Sequence, residues 1–123
     1  MSRVVNETKG TVVAERVGHA RSFWRRFRGL MLQPSLDADS GLFIEASGSI
    51  HTAFMRFPID AVFVDEGRRV VKVTTVKPWR TAVSKGHSVL ELSAGRASET
   101  GVEAGDVLSI EQLNNGQTSG DSR

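Results

Sequence analysis

Asp60-Ala61-Val62-Phe63-Val64-Asp65-Glu66-Gly67-Arg68-Arg69-Val70-Val71-Lys72-Val73-Thr74-Thr75-Val76 is the stretch that decides the fold. Its two outer runs, Asp60 to Val64 and Val70 to Val76, are dominated by Val, Phe and Thr. Branched and aromatic side chains suit a pleated, half-buried surface, so both runs read as strands. The link Asp65-Glu66-Gly67-Arg68 is short, polar and contains glycine, which predicts a β-hairpin.

Working outward, Thr11 to Val17, Leu42 to Glu45, Ser88 to Leu92 and Val107 to Leu113 share that character and read as further strands. Gln33 to Ser40 and Thr81 to His87 read as loops, and Ala46 to Ser49 as a turn. Arg21 to Met31 changes period: Phe23, Phe27 and Leu30 fall at i, i+4 and i+7, the stripe of an amphipathic helix. Ala94 to Thr100 has room for one or two helical turns, ended by Gly101, and Gly41, Gly95 and Gly105 also read as turn residues. The sum is a mainly β domain, a small sandwich or barrel with one short amphipathic helix packed on it. The domain spans residues 1–113, and residues 114–123, with nothing to bury, read as a disordered tail.

At 123 residues the chain makes one domain with a real core. It has no cysteine, which rules out disulfide staples and fits a reducing compartment. Met1 to Glu7 lacks the apolar stretch of about 7–15 residues that marks a signal peptide. No run approaches the roughly 18 apolar residues of a membrane span. The expectation is a cytoplasmic domain with no membrane partner. The net charge of +2 is unevenly spread: residues 1–36 hold seven Lys or Arg against two Glu, and residues 89–113 one Arg against five acids. Two such ends are expected to meet and neutralise each other.

Six residues could carry chemistry or bind a ligand. Asp60 enters an apolar run behind Phe57-Pro58, and an ionised carboxylate there needs a partner. It is either a base or ligand anchor, or a structural group that caps backbone N–H groups or pairs with Arg28 or Arg56. Pro58 fixes its own φ and restrains Phe57, and an aromatic residue before proline raises the frequency of a cis bond. Glu91 lies between Leu90 and Leu92, so if those face the core, strand alternation turns it the other way, into solvent or into a pocket. Arg28 ends the helix, where it can meet terminal carbonyls or form a bidentate pair with a carboxylate or phosphate. His51 and Met55 lie in the same stretch, His51 to Asp65, as Asp60. Trp79, beside Arg80, either stacks on a ligand or lids one end of the barrel.

No metal is expected, because His51, Asp60 and Glu91 share no short ligand spacing. No cofactor is expected either, since phosphate-loop and dinucleotide patterns are missing, as is the G-x-S-x-G elbow of a serine hydrolase. Arg25, Arg26 and Arg28 with Trp24 fit a solvated helix face over core aromatics, so no nucleic-acid partner is expected.

Four ordered motifs resemble the family known as domain of unknown function 192. They are Arg28-Gly29-Leu30-Met31, then Asp39-Ser40-Gly41-Leu42-Phe43-Ile44, then His51 to Asp65, and finally Val89 to Gly95 followed by Gly101 to Asp106. Phe54 stands where that family often has Trp or Tyr, and Ser93 where it often has Pro. The resemblance implies a compact, mainly β fold and no established activity. It also implies that Glu91 belongs to a motif, which favours a pocket around it. The functional expectation is a non-enzymatic binding or accessory domain for a small polar or anionic ligand, lined by Arg28, His51, Met55, Asp60 and Glu91. One alternative is a small hydrolase or lyase with Asp60 or Glu91 as base. The other is a protein-interaction module whose motif residues only specify the fold, with its partner unknown.

Overall fold

A computed structural model describes residues 2–20, 37–45, 49–51 and 57–112. Among the described residues nine strands run in chain order: β1 Ser2–Asn6, β2 Thr11–Ala20, β3 Ser40–Ile44, β4 Ser49–His51, β5 Ile59–Val64, β6 Val70–Val76, β7 Thr81–Val83, β8 Ser88–Ser93 and β9 Leu108–Gln112. A short helix, α1 Arg96–Thr100, lies between β8 and β9. Seven strands form one sheet in the order β6-β5-β8-β3-β2-β1-β9, and β4 pairs with β7 as a separate ribbon.

The large sheet curls until its two terminal strands touch. Arg69 bridges Val107 antiparallel, and three backbone hydrogen bonds flank the contact. Val70 N–H donates to the Asp106 carbonyl at 2.7 Å, Gly105 N–H to Val70 at 2.8 Å and Leu108 N–H to Arg68 at 2.9 Å. The two strands run apart from there, so the result is a half-closed barrel. This is the mainly β architecture expected from the sequence.

Strand alternation sorts the core into two layers. Val62, Val64, Leu90, Leu92, Phe43, Val13, Val17, Val4 and Leu108 fill the inside of the curl. Ile59, Ala61, Phe63, Val89, Ile44, Phe57 and Val76 form a second layer on the other face of β5 and β8, and Ala82 of β7 packs against it. β5 is therefore buried along its whole length.

The helix is short and capped from a distance. Its N-cap residue, Gly95, has φ 92 and no side chain to offer. At the other end Gly101 has φ 76, with Gly101 N–H donating to Ser98 O and Val102 N–H to Ala97 O, a Schellman closure.

The expected strands at 11–17, 42–45, 60–64, 70–76, 88–92 and 107–113 correspond to β2, β3, β5, β6, β8 and β9. Several expectations need correction. Ser2–Asn6 is a strand between β2 and β9, although it has only two adjacent valines to signal it. Thr81 to Val83, expected as loop, is β7, and Ser49, expected in a turn, starts β4. Gly41 is no turn residue: it lies inside β3, where a Cβ would meet the Glu91 carbonyl and Leu92 Cδ2, each at 3.1 Å. Phe57-Pro58 is trans, as no peptide bond among the described residues is cis. The expected helix at 21–31, with Arg28, and the tail from 114 lie outside the described residues.

The basic N-terminal and acidic C-terminal segments do meet. Arg3 donates to Glu111 from Nε at 3.0 Å, and Lys9 Nζ lies 2.9 Å from Glu103 and 3.2 Å from Asp106.

Candidate functional site

Asp60 is 3% exposed, and its carboxylate is fully engaged. Oδ2 accepts from the N–H groups of Gly95 and Ala97, both at 3.0 Å, and Oδ1 accepts from Thr75 Oγ1 at 2.7 Å. These are the orphan donors of a helix start, usually satisfied by the N-cap side chain. With glycine at that position, a carboxylate 35 residues back in the chain supplies the oxygen. A shallow depression of about 380 Å³ opens beside it, between β6 and α1, lined by Val73, Thr75, Ser98 and Glu103 among others.

Glu91 is completely buried. It is paired with Ala61 of β5 and Leu42 of β3, so it points into the second core layer. Asp60 is paired with Leu92 and faces the first. The two carboxylates therefore lie on opposite sides of the sheet. His51 ends β4, opposite Thr81 of β7. Arg28 and Met55 lie outside the described residues. Among the described residues no cluster of three or more His, Asp or Glu is placed to hold a metal.

Trp79 stands in the tight connection from β6 to β7. It is 58% exposed and has φ 65, so it stands largely in solvent instead of lidding the barrel. A bulky residue in the left-handed region is a true outlier, and such strain concentrates at functional sites. Beside it runs a groove of about 430 Å³ between β6 and β7. Lys72, Lys77 and Arg80 line it together with Thr74, Thr75 and Thr81, and none of the described lining residues is acidic. Lys72 Nζ donates to the Val83 carbonyl at 3.0 Å, which ties the middle of β6 to the end of β7. Lys72 and Lys77 were not singled out from the sequence. The available signal was a lysine inside a Val/Thr strand followed by a Pro-Trp-Arg break.

A second polar centre closes the barrel. Asp106, 4% exposed, accepts from Asn6 Nδ2 at 2.8 Å and from Glu103 N–H at 3.1 Å. Chiefly because of the Asn6 bond, its carboxyl is held below the usual range. Lys9 is raised above its ordinary value, first by its bond to Glu103.

These features define a class: a small mainly β domain on one curled sheet, with a side ribbon and a cationic groove between them. The chain belongs to the DUF192 family, described as "Uncharacterized ACR", whose profile matches residues 4–110. It is 36% identical to the UPF0127 protein of Thermococcus sibiricus over 114 residues, covering 88% of this chain and 74% of that one. Over 110 residues it is 36% identical to the UPF0127 protein of Pyrococcus furiosus, covering 85% and 95% respectively. In structure it resembles a Sinorhizobium meliloti protein that carries a provisional label as a transcription regulator. The TM-score is 0.74 at 22% identity, covering 89% of this chain and 91% of that one, a likeness of fold alone.

Proposed function

We propose that this domain is a non-enzymatic binding module that takes an anionic ligand in the groove between β6 and β7. One observation carries the reading: Lys72, Lys77 and Arg80 line a groove whose described walls hold no acid, and the strained, exposed Trp79 lies in the chain between Lys77 and Arg80. Clustered cations raise the local concentration of anions. An indole held outward offers an apolar face beside them. Thr74 adds a hydroxyl that can donate to ligand oxygens.

The enzymatic alternative draws less support. Asp60 already accepts three hydrogen bonds, and Glu91 is buried on the other face of the sheet. Neither is placed as a base beside the other.

The test is a thermal melt of the full chain with inorganic phosphate, citrate and a neutral sugar. A ligand that prefers the folded state raises the midpoint with its concentration. Phosphate or citrate is expected to raise it, and Lys72→Gln or Arg80→Gln to remove the effect. Equal response of parent and variants would rule out the groove.

A further inference from the structure

The geometry points to a second ligand site, for a small carboxylate, at the end of the curled sheet where Arg68 and His19 meet the ring of Phe43. It lies apart from the β6–β7 groove. Phe43 belongs to the first core layer, inside the curl, whereas Lys72 of the groove is paired with Phe63 of the second. The two sites therefore stand or fall separately.

Arg68 brings the charge. Its backbone is held on both sides: Arg68 N–H donates to the Asp65 carbonyl, and the Arg68 carbonyl accepts from Leu108 N–H across the seam of the barrel, both at 2.9 Å. These bonds hold it in the left-handed region, at φ 64, and so fix the direction in which its side chain leaves. Strain enforced by the surroundings in this way is found at ligand sites. The guanidinium ends 5.6 Å from the centre of the Phe43 ring. A ring attracts the charge but supplies no lone pair to the five N–H donors. Among the described residues nothing accepts from them. Their fork matches the two oxygens of a carboxylate.

His19 brings the second group. It is paired with Phe43 in the parallel ladder of β2 and β3, and the two rings meet edge to face with centroids 6.0 Å apart. Its Nε2 lies 2.9 Å from Oγ of the fully buried Ser2, which itself donates to Gln112 Oε1 at 3.3 Å. A hydroxyl has one proton, so with that proton on Gln112 the Nε2–H of His19 donates to Ser2. The imidazole is thereby oriented, and among the described residues its Nδ1 has no partner. In the protonated ring Nδ1–H is a donor for a ligand oxygen. His19 is exposed and Arg68 half-buried, so both are open to a ligand from solvent.

The test is an NMR titration of the isotopically labelled full chain with acetate and with succinate, against sodium chloride at equal ionic strength and inorganic phosphate. The carboxylates are expected to shift the Arg68 Nε–H and the His19 ring signals along a saturating curve. Arg68→Gly, which relieves the backbone strain and so keeps the fold, is expected to abolish that binding. His19→Gln is expected to weaken it about tenfold, the loss of one charge-assisted hydrogen bond. Ser2→Ala, which frees the imidazole to turn, should weaken it less, and Lys72→Gln should leave it unchanged. Shifts that do not saturate, or that chloride reproduces, would overturn the site. So would undiminished binding by Arg68→Gly or His19→Gln. Loss of the shifts in Lys72→Gln would assign them to the groove instead. Phosphate binding more tightly than either carboxylate would overturn the ligand class.

Discussion

Asp60 and Glu91 occupy adjacent strands one residue out of register and point to opposite faces of the same sheet. Asp60 pairs with Leu92 and reaches the start of α1, whereas Glu91 pairs with Ala61 and enters the second core layer. A pair of carboxylates working together on one substrate needs both in one cleft. Here β5 and β8 stand between them, so each has its own role.

The role of Asp60 can be measured. It joins β5, β6 and α1 through three hydrogen bonds to a buried charged group. Asn keeps the shape but has one acceptor oxygen in place of two, and its amide nitrogen meets a donor. Asp60→Asn is expected to lower the unfolding free energy by about 2 kcal/mol, within the range for bonds to ionised groups. Phosphate binding at the β6–β7 groove should survive. Urea unfolding at neutral pH checks the first, and the melt checks the second.

Asp106 sets an acid limit. Its folded pKa lies below the unfolded value because Asn6, Glu103 N–H and Lys9 all favour the ionised form. The folded chain thus binds that proton less readily than the unfolded one. The stabilisation is fully present above about pH 4 and is lost as pH falls through the folded value. Urea midpoints are expected to fall steeply below pH 4. Asp106→Asn should lower the midpoint at pH 7 and flatten the acid slope. A slope unchanged by the substitution would assign it to other carboxylates.

Arg68 carries a strain the sequence assigns elsewhere. In the hairpin Asp65–Arg69 the left-handed residue is Arg68, at φ 64, not its neighbour Gly67. A type I turn followed by one left-handed residue has this form, and that position favours glycine. The Arg68 guanidinium lies 5.6 Å from the centre of the Phe43 ring, a compensating contact. Arg68→Ala loses the contact and keeps the strain, whereas Arg68→Gly loses both. Arg68→Gly is therefore expected to be more stable than Arg68→Ala by about 1 kcal/mol. Chemical denaturation of the two variants decides it.

The hairpin β5–β6 and the strands β2, β3, β8 and β9 were legible because their apolar residues mark burial locally. β4 and β7 were not, since three residues each give no period, and their pairing is a tertiary event. β1 offers only Val4 and Val5, and it becomes a strand by filling the gap between β2 and β9. Gly41 looked like a turn because glycine usually is one. Its reason is the backbone of β8 pressing against it from 50 residues away. The site divided in the same way. That Asp60 needs a partner follows from its neighbours, but Thr75, Gly95 and Ala97 are 15, 35 and 37 residues distant. That Glu91 and Asp60 part company depends on the register of β5 against β8, which no local pattern encodes.

Trp79 tests whether strain is retained for binding. The left-handed conformation costs a non-glycine residue roughly 1–2 kcal/mol. Its indole is largely exposed and offers the core little in return. Trp79→Gly removes the strain and adds backbone freedom to the unfolded chain, so its net effect on stability is expected to lie within about 1 kcal/mol of zero, on the stabilising side. If Trp79 serves the groove, the same substitution should weaken phosphate or citrate binding several-fold, while Trp79→Phe retains most of it. A Trp79→Gly chain that is less stable by 2 kcal/mol or more and binds as well as the parent would make Trp79 a packing residue. Loss of affinity without loss of stability would separate the two roles, as expected where a residue is kept for function at the expense of the fold.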